Sequence, residues 1–227
     1  VTGGAMGMGR LFAERAIAEQ ASAVVLWDVN ESALNDTLTE LIDGPASAAD
    51  STVEVSGYIV DVADAGAVAD TAAAVLDEVG RIDVLINNAG LTGDFRGKGQ
   101  KLGSLDFAEG ETMMAVNAFG PLRVSEAFYD NVKRSDQKKI VAITALLGVH
   151  SFNYGGFDGA YWYKVTKAAL NAGMANLARE AAKDGVVVTL LTPGEVAVEK
   201  VKNPGPEFIA PEVSIRGMIG VIDGLTP

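Results

Sequence analysis

Tyr163 and Lys167 are the two residues whose types and spacing point most directly to chemistry. Four apart on a helix, they share one face. A phenol titrates near pH ~10 in water, too high for a base at neutral pH, and a neighbouring ammonium favours the phenolate and lowers that value. The pair then reads as a general acid/base for the proton of an alcohol. A second group opens the chain, Val1-Thr2-Gly3-Gly4-Ala5-Met6-Gly7-Met8-Gly9-Arg10. Gly3, Gly7 and Gly9 let the backbone turn sharply and come close to a ligand. The helix that follows offers N–H groups and a positive dipole end to a pyrophosphate. Such a loop holds a dinucleotide. Asp28 lies about twenty residues past the glycines, where an acid accepts hydrogen bonds from an adenosine ribose and repels a 2′-phosphate. With no basic residue at Met6, it favours NAD over NADP. A Tyr-x-x-x-Lys, a glycine turn or a loop acid is each common by itself, so their weight rests on the elements that carry them.

Those elements alternate. Leu11 to Ala18 has helical spacing and is followed by the apolar run Ala23 to Trp27, a β-α-β unit. Glu31 to Ile42 is expected as a helix, stopped by Asp43-Gly44-Pro45, and Val53 to Val60 alternates as a strand before Asp61-Val62. Ala67 to Val79 is a helix closed by Gly80, Ile82 to Ile86 a strand ending in Asn87-Asn88-Ala89-Gly90, and Leu91 to Ser104 a loop. Glu111 to Lys133 is a long helix with Asn117 among apolar neighbours, where an amide needs partners. Lys139 to Thr144 and Val186 to Leu191 are further strands, the second capped by Thr192-Pro193-Gly194, with the helix of Tyr163 between them. Pro211 to Gly224 is a last helix. The expected fold class is α/β: a Rossmann-type doubly wound parallel sheet with helices on both faces, in a single domain over 1–227. Ligands then bind at the carboxyl ends of the strands.

Composition narrows the function. At 227 residues with 48% hydrophobic content the chain supports one sizeable core. A formal charge of −12 and a pI of 4.5 argue against nucleic acid or an anionic membrane surface as partner. With no cysteine there is no thiolate chemistry, and with a single histidine, His150, no histidine-rich metal site is expected. No apolar run is long enough to span a bilayer, and no basic start followed by an apolar stretch reads as a signal peptide, so the expected compartment is the cytoplasm. The first strand shows only its last residues where about five are usual. Trimming is therefore expected at the amino end, and also at the carboxyl end, where the chain stops just after a helix.

Together, Thr2-Gly3-x-x-x-Gly7-x-Gly9, Asp28, Asp61-Val62, Asn87-Asn88-Ala89-Gly90, Asn117, Tyr163-x-x-x-Lys167 and Pro193-Gly194 resemble the short-chain dehydrogenase/reductases in order and spacing, over nearly the whole chain. The resemblance implies a seven-stranded parallel sheet, its last strand beyond Pro227. It also implies hydride transfer between NAD and a secondary alcohol or ketone. Tyr163 becomes the acid/base, Lys167 binds the nicotinamide ribose and lowers the tyrosine pKa, and Asn117 holds a water of the proton relay. Gly3, Met6, Gly7, Met8, Asp28, Val29, Asp61, Val62, Asn88, Ala89, Gly90, Pro193, Gly194 and Val196 join Tyr163 and Lys167 around the cofactor. Val198 stands where the family often has a threonine.

One departure is larger. Where the family carries a serine that polarises the substrate oxygen, this chain has Ala145, whose methyl group donates no hydrogen bond. Three explanations stand: an introduced serine-to-alanine change, a hydroxyl supplied by Thr144 or Ser151, or a protein that binds NAD without turning it over. The rival function is accordingly a non-catalytic NAD-binding regulatory protein. A dehalogenating relative is disfavoured by the intact glycines. Pocket walls are expected from 91–103, 146–162 and 195–210, the last as a substrate lid. Phe152, Tyr154, Phe157, Tyr161 and Trp162 in the second wall suit a hydrophobic or ring-bearing substrate as well as simple packing of an inserted loop. The alanine-rich helices of Asn117 and Tyr163 are expected to pair copies into a homodimer or homotetramer.

Overall fold

In the computed structural model, the residues described are 1–47, 51–94, 98–151, 159–197, 205–206 and 208–226. Among these described residues five strands form: β1 Ala23–Asp28, β2 Glu54–Ile59, β3 Val84–Asn87, β4 Lys139–Ile143 and β5 Val187–Leu191. All pairings are parallel, β1 with β2, and β3 with β4 and β4 with β5. The opening residues stitch the two sets together. Val1 N donates to Val25 O (2.8 Å), Trp27 N to Val1 O (2.9 Å), Thr2 N to Ile86 O (3.0 Å) and Gly4 N to Trp27 O (3.1 Å). The order across the sheet is therefore β2, β1, the 1–4 segment, β3, β4, β5, and the chain reverses direction of winding beside its own glycine loop.

The helices are α1 Gly7–Ala18, α2 Glu31–Asp43, α3 Ala65–Val79, α4 Phe107–Met114, α5 Gly120–Arg134, α6 Tyr161–Ala181 and α7 Pro211–Gly224. Alternation along buried strands assigns them to two faces. Leu85, Ile140 and Ala142 pack with Val68, Val124, Phe128, Leu170 and Met174 of α3, α5 and α6. Their neighbours Ile86, Val141 and Ile143 point the other way, to Phe12 of α1 and Ile215, Met218 and Ile222 of α7. The sheet is thus covered on both sides, as expected for a doubly wound fold. Among the described residues, no helix is long and apolar enough to cross a membrane, and no group of three or more metal-ligating side chains gathers.

Three departures from the sequence expectation bear on the elements around the site. α3 starts two residues earlier because Asp64 caps it, accepting from Gly66 N (2.8 Å) and Ala67 N (3.0 Å). The expected helix 111–133 begins at Phe107, where Asp106 caps it. It is also interrupted by a π-helical turn, Ala115–Phe119, between α4 and α5. Gly120 N reaches back to Ala115 O there, and Arg123 adds a guanidinium contact to the same carbonyl at 3.3 Å. One-turn π insertions are characteristic of functional sites, and this one contains Asn117.

Candidate active site

The glycine loop is pinned from three sides. Ala5 donates its N–H to Asp28 Oδ2 (3.0 Å), and its carbonyl accepts from the Thr37 hydroxyl (2.7 Å). Thr2 Oγ1 accepts from Asn88 N and Ala89 N, both at 3.1 Å, while Asn88 Nδ2 donates to the carbonyls of Thr2 and Gly3 at 3.0 Å. Space is the reason for two of the glycines. A Cβ on Gly3, whose φ is +63°, would sit 2.8 Å from Ala89 Cα, and one on Gly9 would sit 2.0 Å from Gly3 O. Gly7 opens α1 with φ +54°. Met6, at the helix cap, offers no side-chain hydrogen bond to the first-turn N–H groups, which leaves that positive end to an anion. Met8 packs against the core cluster that contains Phe12, Ile86 and Ile215. Of the remaining adenosine-side candidates, Val29 is 68% exposed, Asp61 holds Ala63 N (2.8 Å), and Val62 is buried against Gly120.

The acid/base candidates meet at the carboxyl end of β4. Lys167 is buried, donates to Ile143 O at 2.7 Å, and lies 5.8 Å from the ring centroid of Tyr163. Burial lowers its pKa from 10.5 to about 8, since a charged amine loses hydration there. Asn117 is fully buried. Its Oδ1 accepts from Leu91 N (2.7 Å), and its Nδ2 donates to Leu91 O (2.8 Å) and the Thr166 hydroxyl (3.1 Å). Gly90 fits between them: a Cβ there would be 3.3 Å from Asn117 Oδ1 and 3.8 Å from Lys167 Nζ. The loop after β3, the π turn and α6 thus converge on one point.

Thr144 is close but turned away. Its hydroxyl donates to Asn171 Oδ1 at 2.6 Å, and Asn171 Nδ2 holds Gly148 O at 3.1 Å. This clamps the short 3₁₀ turn Leu146–Gly148 to α6, where a Cβ on Gly148 would be 2.7 Å from the Lys167 backbone. Ala145 precedes that turn in extended conformation. On the far side, Pro193 O accepts from the Ser214 hydroxyl (2.7 Å), Gly194 has φ +79°, and Val196 forms a parallel bridge with Ile209. Of the expected lid, 198–204 and 207 lie outside the described residues, as do Phe152, Tyr154 and Phe157 of the aromatic wall. Tyr161 is 40% exposed, and Trp162 donates its indole N–H to Gly99 O (2.8 Å).

The family model of the short chain dehydrogenases matches residues 1–207. The chain belongs to that family. This short-chain dehydrogenase is 37% identical to the C-signal protein of Myxococcus xanthus, over 65% of its own length and 84% of the relative's. It is 34% identical to 1-hydroxy-2-glutathionyl-2-methyl-3-butene dehydrogenase of Rhodococcus, over 82% and 79%. Among solved structures it resembles a Streptomyces avermitilis short-chain dehydrogenase (TM-score 0.80, 26% identity, 100% and 84% covered). It also resembles an alcohol dehydrogenase of Thermococcus sibiricus complexed with 5-hydroxy-NADP (TM-score 0.77, 26% identity, 98% and 88% covered). An oxidoreductase using a nicotinamide cofactor is the activity this family carries.

Sequence reasoning missed three residues of this dehydrogenase's site, Gln100, Thr166 and Asn171, and quoted Thr2 in the glycine motif without a role. Asn171, four residues after Lys167, could have been suspected from its amide group. Gln100 and Thr166 act through partners distant in sequence, which no local spacing records.

Proposed function

We propose that this dehydrogenase moves a hydride between NAD(H) and a secondary alcohol or ketone, with Tyr163 as the acid/base. The observation that carries this reading is the buried Lys167 ammonium beside the Tyr163 ring, held in place by Ile143 O. An ammonium there favours the phenolate. In oxidation the phenolate takes the hydroxyl proton of the alcohol as its C–H hydride leaves, and in reduction Tyr163 returns the proton to the carbonyl oxygen. The nicotinamide supplies the hydride acceptor or donor when bound. Its carrier fits the residues present: the tight cradle at Gly3 and Gly9 and the uncapped start of α1 suit a pyrophosphate. Met6, Gly7 and Met8 would line it, with Val29, Asp61 and Val62 toward the adenosine, Asn88, Ala89 and Gly90 along the middle, and Pro193, Gly194 and Val196 at the nicotinamide. Asp28 favours NAD, since its carboxylate at the end of β1 accepts a ribose hydroxyl and repels a 2′-phosphate.

Asn117 serves this site chiefly by fixing Leu91 and Thr166, and its remaining oxygen lone pair or main-chain carbonyl holds the relay water. Thr144 spends its hydroxyl proton on Asn171, so its part is to position the turn behind Ala145. A hydrophobic or ring-bearing substrate, a lid over 195–210, a cytoplasmic setting, and pairing of copies through α5 and α6 complete the reading. The exposed Phe119 and Val165 support that pairing. A monomer mass by light scattering would refute it.

Ala145 favours a second reading, an NAD-binding regulatory protein that does no chemistry, and the relative named C-signal agrees with a signalling role. NADH absorbance with a panel of secondary alcohols separates the two, run on this chain and on its Ala145→Ser and Tyr163→Phe variants. Turnover that Tyr163→Phe abolishes supports the dehydrogenase. Turnover undiminished in that variant refutes the acid/base assignment, and NAD binding with no turnover in either this chain or Ala145→Ser favours the regulator.

A further inference from the structure

The helix that carries Tyr163 begins without a cap of its own. Ala160, at its cap position, is fully buried in a left-handed conformation (φ 52°, ψ 33°) and offers no side-chain acceptor. The first-turn N–H groups of any helix need partners from elsewhere. Here they come from a residue some sixty positions upstream: Tyr161 N donates to Gln100 O (3.4 Å), and Tyr163 N donates to Gln100 Oε1 (3.2 Å). The other end of the same amide is also committed. Gln100 Nε2 donates to Thr92 O at 3.0 Å and to Glu109 Oε1 at 3.4 Å, and the side chain is 0% exposed.

Its surroundings are shaped to admit it. Gly93 and Gly99 both have positive φ (+61° and +102°). A Cβ on Gly93 would lie 2.3 Å from Gln100 Nε2, and one on Gly99 would lie 2.4 Å from Glu109 Oε2. Trp162 leans on the same segment through Gly99 O and meets Phe107 edge-on, with ring centroids 5.1 Å apart. A buried, fully satisfied amide joining three elements rigidifies what it joins.

We infer that Gln100 is a positioning residue: it caps α6 at Tyr163 and locks the substrate-side segment 99–106 to the helix bearing the acid/base. The inference rests on the acid/base reading of Tyr163. Without the cap the first turn frays, and the phenol drifts from the Lys167 ammonium, which lies 5.8 Å from its ring centroid. Glu109, on α4, is the carboxylate facing the amide and stays in place.

The test is a near-ultraviolet absorbance titration of tyrosinate in the cofactor-free protein, with the curve of Tyr163→Phe subtracted to isolate one phenol. Tyr58 and Tyr129 do not interfere, since the hydrogen bond to Glu78 for Tyr58, and burial followed by the hydrogen bond to Asp184 for Tyr129, push both up to about 12. Gln100→Met keeps length and bulk while removing donor and acceptor. It should raise the Tyr163 midpoint by ~0.5 pH unit or more and move the acid limb of kcat with it, leaving NAD affinity within about twofold. A midpoint unchanged alongside a lowered Tm overturns the inference, since a merely structural glutamine would behave that way. Should Gln100→Met not fold, Gln100→Glu carries the same test. It keeps the acceptor for Tyr163 N but sets a carboxylate against Thr92 O and Glu109, and again an unmoved midpoint overturns it. Full turnover in Tyr163→Phe defeats the acid/base reading separately, while the titration, which needs no substrate, still decides whether Gln100 governs the phenol.

Discussion

Lys167→Met should stabilise the cofactor-free protein while ending its chemistry. Burial lowers the ammonium's pKa from 10.5 to about 8. At about 1.4 kcal/mol per pH unit, that gap corresponds to roughly 3 kcal/mol against the charged form. At pH 7 the amine is charged in folded and unfolded chains alike, so the folded state bears the full penalty. As pH rises from about 8 toward 10.5, the folded protein releases this proton before the unfolded chain does, and the penalty fades. Methionine fills similar space without charge, but it leaves Ile143 O without its 2.7 Å partner, a loss of ~1–2 kcal/mol. The net expectation is a gain of about 1–2 kcal/mol at pH 7, shrinking and then reversing by pH 10. Urea unfolding of both proteins at pH 7 and 10 reads the difference directly, and effects of other titrating groups cancel between them. A variant less stable at pH 7, or a difference that stays constant with pH, would show that Lys167 is not strained by burial.

Cofactor choice and the Asn117 clasp yield two further expectations. Replacing Asp28 by alanine and Val29 by arginine removes the carboxylate at the ribose position and adds a cation at an exposed one. The ratio of kcat/KM for NADP over NAD should rise by ~100-fold, and an unchanged ratio would refute the role given to Asp28. Asn117→Leu takes from the Leu91 N–H and C=O their side-chain partners; Leu91 is 41% exposed, so water recovers part of the loss and the cost is ~1–2 kcal/mol. Thermal unfolding measures this, and a Tm within a degree of the parent would argue that Leu91 finds other partners.

Much of this arrangement was legible in the sequence because it depends on local pattern. Alternation in Leu85-Ile86 and Ile140 to Ile143 marks strands buried on both faces, and the glycines at 3, 7 and 9 mark the turn into α1. The same period of two could even have assigned Thr144, since it falls on the side of Ala142, which faces α6. What escaped lies in pairings across long sequence separation. Gln100 is one glutamine in a glycine-rich stretch and gains meaning only from Tyr163. Thr166 is one polar residue on a helix until Asn117 meets it. The π turn at 115–119 was invisible for another reason: one extra residue scarcely disturbs an apolar pattern that tolerates both three- and four-residue steps.

That extra residue sets an angle. Each residue of an α-helix advances the chain by about 100°, so the π turn rotates α4 relative to α5 by close to a third of a revolution. α5 is fixed in phase by Val124 and Phe128 against the sheet, whereas Glu109 and Gly110 of α4 face Gln100 and Trp162. The site and its substrate wall are thus indexed to the core by a single position in the chain. Deleting Ala118 would keep helix content by circular dichroism. It would turn α4's inner face away from α6 and so dismantle the pocket without touching a residue that lines it.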